Sequence, residues 1–257
     1  MERIYTIELH DVTLGYGSRV LMADANVGFG WGELTALIGR NGTGKSTLLR
    51  TIAALAKPQR GTITINGKRV DSLTMKEVAS QIAFVSTDDV RVQNLHVWDV
   101  VSLGRAPYTN WVGRLTAEDK AKVEQSLALV GMADFAAASM ESLSDGERQR
   151  VMIARALAQD TPIILLDEPT AFLDLPNKYE ICLLLRRLAH SEGKCILFST
   201  HDLSIAIELC DTVAMIEGGK FHYGTAEMLI ENGDMGRIFE HTQIEFDREK
   251  GNVRLKK

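Results

Sequence analysis

The sequence predicts an α/β fold built on a mixed, mainly parallel sheet, with an antiparallel β region at the N-terminus and a helical insertion. Apolar and polar residues alternate over much of the first thirty positions, as in short antiparallel strands. From Leu34 onward, short apolar runs alternate with helical segments, which is typical of a parallel sheet buried on both faces. Residues 88–150 carry no strong strand signal and include a segment of helical periodicity.

The individual elements follow from these patterns in chain order. Strands are predicted at LTALIG (34–39), QIAFVS (81–86), PIILLD (162–167), CILFST (195–200) and TVAMIE (212–217). A hairpin is predicted over 61–70, because Asn66-Gly67 favours a tight turn between two strands. Helices are predicted over 45–56, 119–132, 177–189 and 226–232, with a turn at Gly218-Gly219 and a candidate hairpin from residue 244 onward.

The chain is long enough to bury one large core, and we expect a single domain over residues 1–257. Within it, residues 1–87 and 151–230 would form the core together with the antiparallel β region. Residues 88–150 would form a helical subdomain, and residues 231–257 a C-terminal tail.

Composition argues against several classes of protein. The net charge of −5 disfavours a general nucleic-acid-binding protein, although it is compatible with a local basic patch. No apolar run approaches the roughly 20 residues that span a bilayer, and the N-terminus lacks the apolar stretch of a signal peptide. We therefore expect a cytoplasmic protein that reaches the membrane through a partner.

The three cysteines, Cys182, Cys195 and Cys210, include no C-x-x-C pair. Two of them lie in apolar segments, so buried free thiols are the favoured interpretation. A metal or redox site is the alternative.

The segment GRNGTGKST (39–47) matches the phosphate-loop pattern G-x-x-x-x-G-K-[ST] between a predicted strand and a predicted helix. Gly39, Gly42 and Gly44 allow the backbone N–H groups to surround a phosphate. Lys45 can reach the β- and γ-phosphates, and the Ser46 hydroxyl can bind Mg²⁺. A glycine-rich turn that contains Gly-Lys-Ser by chance is disfavoured by the flanking elements.

The segment PIILLDEPTAFLD (162–174) places Asp167 and Glu168 at the carboxyl end of a predicted strand, where ligands bind in open α/β sheets. Asp167 is a candidate Mg²⁺ ligand, and Glu168 can orient or deprotonate an attacking water. The alternative is an exposed acidic turn, which the accompanying phosphate loop disfavours. His201 follows the next strand and can contact a γ-phosphate, although a lone histidine is more often structural.

Two further positions are candidates for nucleotide contacts. Ser144 begins a predicted helix with Glu147 three residues later, which is the spacing of a capping box, and a helix N-terminus attracts anions. The alternative is that Ser144 only caps its own helix. Tyr16 can stack on a purine, although a core or surface tyrosine is nearly as consistent with its spacing.

Together these motifs resemble the nucleotide-binding subunit of ATP-binding-cassette (ABC) transporters over residues 5 to about 230. GRNGTGKST resembles the Walker A motif, IILLDEP the Walker B motif, LSDGERQ the signature motif, AFLD the D-loop and STHD the switch-histidine motif. The resemblance implies a P-loop NTPase fold, with ATP and Mg²⁺ as cofactors. It assigns ATP contacts to Tyr16, Gly39, Asn41, Gly42, Thr43, Gly44, Lys45, Ser46, Thr47, Ser144, Gly146 and Asp174. It assigns catalytic roles to Lys45, Glu168 and His201, and the metal to Ser46 and Asp167.

The resemblance also implies partners. In this family two subunits pair head to tail, and each ATP lies between the Walker A motif of one and the signature helix of the other. Residues 101–123 look most like those of importers for iron–siderophore complexes, haem or cobalamin. In such systems the helical subdomain contacts a membrane permease, and a separate binding protein delivers the substrate. A solvated helical surface without a partner is the alternative for this segment.

Two departures from the family pattern bear on turnover. Thr87 takes the place of the usual glutamine after the strand at 81–86, and Gln93 could replace it only if the loop folds back. Asp145 takes the place of a signature glycine, with Glu147 in place of a glutamine, and a carboxylate repels a γ-phosphate unless it points away. These departures keep one alternative to an importer ATPase open, a slow regulatory nucleotide-binding subunit. A non-transport ABC ATPase, for example in iron–sulfur assembly, is a second alternative, which the segment LGRAPY disfavours.

Overall fold

The computed structural model describes residues 5–86, 94–109, 113–171, 173–240, 242–247 and 252–256. The strands are β1 (Tyr5–Tyr16), β2 (Arg19–Gly30), β3 (Leu34–Gly39), β4 (Arg60–Ile65), β5 (Lys68–Arg69), β6 (Ile82–Val85), β7 (Ile163–Leu166), β8 (Cys195–Ser199), β9 (Thr212–Glu217), β10 (Lys220–Gly224), β11 (Ile244–Asp247) and β12 (Asn252–Leu255). The helices are α1 (Lys45–Ile52), α2 (Met75–Gln81), α3 (Val97–Ser102), α4 (Ala117–Leu129), α5 (Asp145–Ala158), α6 (Leu175–Glu192), α7 (Leu203–Leu209), α8 (Ala226–Glu231) and α9 (Asp234–Arg237). No helix in these ranges combines the length and the apolar character needed to cross a bilayer.

The central sheet has the strand order β10-β9-β3-β8-β7-β6. Neighbouring strands from β9 to β6 run parallel, and β10 pairs antiparallel with β9, which confirms a mixed, mainly parallel sheet. The sequence interpretation missed β10, although it placed the turn at Gly218-Gly219 correctly. The strand KFHYG is a half-buried edge strand, so its side chains do not form the apolar run of a central strand.

Both faces of the sheet are buried, because successive side chains of a strand point to opposite sides. Ile164 and Leu166 of β7 belong to the core layer that includes α5 and α6. Ile163 and Leu165 belong to the opposite layer, which includes α1 and the N-terminal strands. This arrangement explains why the central strands are continuous apolar runs.

The N-terminal strands form a separate antiparallel sheet in the order β2-β1-β4-β5. This confirms the predicted antiparallel strands and the predicted hairpin, whereas the pairing of β1 with β4 was not predicted. The turn between β4 and β5 has Asn66 and Gly67 at φ values of 48° and 75°. These are the left-handed conformations that a tight hairpin turn requires. The C-terminal hairpin is also confirmed, with β11 and β12 paired antiparallel.

The predicted helical subdomain, residues 88–150, contains α3, α4 and the first part of α5. Arg105 anchors it: the guanidinium donates to Asp119 at the start of α4 (2.8 Å) and to the Ala158 carbonyl at the end of α5 (2.8 Å). Helix α5 spans residues 145–158, so the boundary expected between residues 150 and 151 falls inside one continuous helix. Thr87 and Gln93 lie outside the described residues.

Helix α1 is shorter than predicted. It ends at Ile52 instead of residue 56, and Ala54 takes a left-handed φ of 59°. The Leu55 N–H donates to the Arg50 carbonyl at 2.8 Å, which satisfies one of the last carbonyls of the helix. Helical periodicity cannot detect such an end, because Ala54, Leu55 and Ala56 are all residues that favour helix.

Candidate functional site

The predicted phosphate and acid motifs meet at one edge of the central sheet. Strand β8 lies between β3 and β7, and all three run in the same direction. The phosphate loop after β3, the two acidic residues after β7 and His201 after β8 are therefore neighbours, although about 160 residues separate the first from the last.

The phosphate loop has the backbone that its glycines predict. Gly39 has a φ of 150°, and a Cβ there would lie 2.6 Å from the Ile216 carbonyl oxygen. Gly44 is the N-cap of α1 with a φ of 112°, and no side chain of the described residues caps this helix. The first N–H groups of α1 are therefore available to an anion. Asn41 is exposed beside them, and the Thr43 hydroxyl donates to the Arg40 carbonyl (2.9 Å).

Lys45 is the first residue of α1, and only 5% of its surface is exposed. Its Nζ donates to the carbonyls of Gly39 (2.9 Å) and Arg40 (3.3 Å). Burial lowers the pKa of this ammonium group, and the charges of Glu168 and Asp167 oppose that change. A buried cation at a helix N-terminus is stabilised by an anion, which a phosphate supplies.

The two acidic residues have different partners. Asp167 Oδ1 accepts hydrogen bonds from the hydroxyls of Ser46 (3.0 Å) and Ser199 (2.7 Å). Glu168 has a left-handed φ of 49°, and its carboxylate Oε1 lies 2.8 Å from His201 Nε2. His201 therefore orients Glu168 in this structure. Ser199 is the first residue of the STHD segment, but sequence reasoning assigned a role only to the histidine of that segment.

The residues at this edge suit a hard divalent cation. The Ser46 hydroxyl and the Asp167 carboxylate face each other across 3.0 Å beside the phosphate loop. Oxygen ligands of this kind are those that Mg²⁺ prefers, and Mg²⁺ commonly takes one or two carboxylates plus substrate phosphates.

Tyr16 lies beside the phosphate loop. Its hydroxyl is 2.9 Å from the Thr47 hydroxyl, and 65% of the residue surface is exposed. The ring is thus close to the loop and accessible to a stacking partner.

Ser144, Gly146 and Asp174 form a second group. Ser144 caps α5 in a complete capping box, in which its N–H and its hydroxyl both donate to Glu147 Oε2 (2.9 and 2.7 Å). These two bonds, the side-chain bond first, lower the pKa of the Glu147 carboxyl. Asp145 pairs with Arg148 (3.0 Å).

Asn177, to which sequence reasoning also assigned no role, contacts both Asp174 and this helix end. Asp174 caps α6, and its Oδ1 accepts from the Asn177 side chain (2.6 Å). A Cβ on Gly146 would lie 3.6 Å from Asn177. The signature segment and the end of AFLD are therefore neighbours within one chain.

The C-terminal tail borders the first group. An open cleft of about 440 Å³ is lined by Glu168 and His201 and by three residues of the tail, Phe239, Ile244 and Val253. No motif in the sequence indicated this proximity.

Comparison with known proteins extends these observations. The model of the ABC transporter family matches residues 22–171. The iron(3+)-hydroxamate import ATP-binding protein of Bacillus subtilis is 37% identical over 236 residues, covering 91% of this chain and 88% of its own. The petrobactin import ATP-binding protein of Bacillus anthracis is 39% identical over 234 residues, covering 91% of this chain and 86% of its own.

The solved structures that resemble this chain are also those of ABC transporters. An inward-facing metal-chelate type ABC transporter is similar with a TM-score of 0.82 and 25% identity, over 98% of this chain and 96% of that one. A dimeric bacterial ABC transporter cassette is similar with a TM-score of 0.75 and 29% identity, over 85% of this chain and 98% of that one.

Proposed function

The chain belongs to the ABC transporter family, and we propose that it is the ATP-hydrolysing subunit of an importer for metal chelates of the iron–siderophore, haem or cobalamin class. The observation that carries the ATPase proposal is the meeting of Lys45, Ser46, Asp167, Glu168 and His201 at one sheet edge. The similarity to the two import proteins supports the substrate class.

Each of these residues has a separate role in the proposed hydrolysis of ATP. The loop N–H groups and Lys45 bind the phosphates of ATP. Ser46 and Asp167 would hold Mg²⁺, which supplies positive charge against the triphosphate. Glu168 accepts a proton from the attacking water or orients it, and His201 holds the Glu168 carboxylate in place. Tyr16 stacks on the base.

The second group completes the site in a partner copy. Ser144, Gly146 and Asp174 cluster at the ends of α5 and α6, and the side-chain bonds of Ser144 go to Glu147 rather than to the phosphate loop. In a head-to-tail dimer this helix end would face the γ-phosphate bound by the other chain. The similarity to a dimeric cassette supports this arrangement.

The helical insertion is the proposed contact with the permease at the cytoplasmic face of the membrane. Leu103 and Tyr108, in the segment with the importer resemblance, are 57% and 44% exposed, and Phe135 is 38% exposed. These side chains are accessible to a protein partner. A substrate-binding protein would act on the far side of that permease.

Phosphate release tests the catalytic assignment. Glu168→Gln should lower turnover at least about 100-fold while retaining nucleotide binding, since it removes the base. Glu118→Gln, on the surface of α4, is the matched control and should keep the wild-type rate. Equal rates for Glu168→Gln and the wild type would remove Glu168 as the base, and a wild type that binds ATP without turnover would favour the regulatory alternative.

Co-purification tests the importer assignment. The full chain, solubilised with its membranes, should purify with a polytopic membrane protein, and Leu103→Asp should lose that partner while keeping basal hydrolysis. Purification without any membrane protein would favour the non-transport alternative.

A further inference from the structure

Ser199 has one hydroxyl that contacts both acidic residues of the site. It is fully buried at the end of β8, where its Oγ donates to Asp167 Oδ1 (2.7 Å) and accepts from the Glu168 backbone N–H (2.8 Å). A backbone N–H can only donate, so it fixes Ser199 Oγ as the acceptor on that side. The hydroxyl hydrogen is then directed to the Asp167 carboxylate.

We propose that Ser199 is a positioning residue that orients Asp167 and the Glu168 backbone together. The proposal rests on the proposed functions of these two residues. Asp167 Oδ1 is held from two sides, by Ser46 on the phosphate loop and by Ser199 on β8. If Ser46 turns its hydroxyl toward Mg²⁺, Ser199 keeps the carboxylate in the same orientation.

The backbone of Glu168 shows why a second anchor is needed. Its φ of 49° is unfavourable for a residue with a side chain and persists only where the surroundings hold it. The bond from the Glu168 N–H to Ser199 is one such contact, and the bond from the Ala171 N–H to the Glu168 carbonyl (3.0 Å) is another. The direction of the Glu168 side chain toward His201 depends on this backbone.

The position of Ser199 in its strand argues against a merely structural hydroxyl. The residues before it, Cys195 to Phe198, are apolar and buried, and a buried hydroxyl is unfavourable unless it is hydrogen-bonded. Elsewhere in the same sheet, the hydroxyls of Thr35 and Thr212 form a hydrogen bond with each other, with 2.8 Å between the two oxygens. Ser199 instead forms its hydrogen bonds with Asp167 and with the Glu168 backbone, the two residues to which the proposed reaction assigns roles.

The Mg²⁺ dependence of nucleotide binding tests the proposal. A fluorescent ATP analogue is titrated against wild type and Ser199→Ala at a series of Mg²⁺ concentrations, with ATP turnover measured alongside. The Mg²⁺ concentration for half-maximal binding should rise about tenfold in Ser199→Ala, as is typical when a partner of a metal ligand is lost. Binding without Mg²⁺ should be unchanged, because Lys45 and the loop N–H groups remain.

Two further variants separate positioning from packing. Ser199→Cys keeps the shape but has a weaker donor, so its Mg²⁺ requirement should lie between those of the wild type and Ser199→Ala. Ser126→Ala, which removes a buried hydroxyl bond to the Lys122 carbonyl on α4, should behave as the wild type.

The proposal would be overturned if Ser199→Ala and the wild type needed the same Mg²⁺ concentration. It would also be overturned if Ser199→Ala lost binding equally with and without Mg²⁺. In either case, a low turnover of Glu168→Gln beside an active wild type would leave the proposed function standing.

Discussion

Helices α1 and α5 both begin at a predicted phosphate contact, but their N-termini differ. Helix α1 has Gly44 as its N-cap and Lys45 as its first residue, and no described side chain caps it. Its first turn contains no acidic residue. Helix α5 starts at Ser144, has a complete capping box and carries Asp145 and Glu147 in its first turn. The first end is electropositive and open, and the second is already occupied by a carboxylate of the same chain.

The difference indicates two kinds of phosphate site. At α1 a phosphate meets unsatisfied N–H groups and a buried ammonium group, so one chain can bind ATP. At α5 an incoming γ-phosphate competes with Glu147 for the donors of Ser144. In the proposed dimer, the second contact is therefore weaker than the first and easily broken after hydrolysis.

The largest effect should come from Lys45→Ala. Losing a charged hydrogen bond to the triphosphate should weaken nucleotide binding by about 100-fold, measured by equilibrium titration of the isolated chain. Lys57→Ala, which removes an exposed lysine after α1, is the control. Wild-type affinity in Lys45→Ala would show that α1 is not the primary site.

Ser144→Arg should affect assembly rather than primary binding. In a Glu168→Gln background with ATP, the variant should elute as a monomer where the parent elutes as a dimer, because the arginine fills the space for the γ-phosphate. Affinity for nucleotide in the monomer should change less than about threefold, since the loop donors are intact. Ser191→Arg on α6 is the control, and a persistent dimer in Ser144→Arg would refute the contact across the dimer.

Glu147→Gln should strengthen the dimer. The amide removes a negative charge from the end of α5, so the ATP concentration for half-maximal dimer in the Glu168→Gln background should fall about threefold. Light scattering measured over a series of ATP concentrations gives the dimer fraction and hence this half-maximal concentration. A higher ATP requirement would mean that the carboxylate itself helps to bind the partner.

The smallest effect concerns pH. The pKa of Glu147 is lowered in the folded chain, so its contribution to stability is present above the ordinary glutamate pKa and lost as the pH falls through the lowered value. The wild type should therefore unfold at a higher temperature than Glu147→Gln at pH 7, and the gap should narrow toward pH 4. Thermal denaturation of the pair at both pH values measures this, and a gap that widens in acid would contradict it.

Motif spacing predicted most of the primary site. The strand at 34–39 has the predicted bounds, and Lys45, Asp167, Glu168 and His201 lie at the sheet edge where the carboxyl ends of predicted strands should meet. The same reasoning assigned no role to Ser199 or to Asn177. The hydrogen bonds of Ser199 join residues 31 and 32 positions apart in the chain. The contact of Asn177 with Gly146 joins the first turns of two different helices. Neither residue differs in type from ordinary strand and helix residues.

The sequence by itself determined the parallel strands of the central sheet, the glycine-dependent backbone of the phosphate loop and the capping box at Ser144. These depend on local rules: side-chain periodicity, the conformational freedom of glycine and the reach of a side chain over three residues. Only the tertiary structure decided that Ser199 bonds to Asp167 and to the Glu168 backbone, that Asn177 lies beside Gly146 and that the tail borders His201. Such contacts depend on how distant elements pack in three dimensions, and no local pattern encodes them.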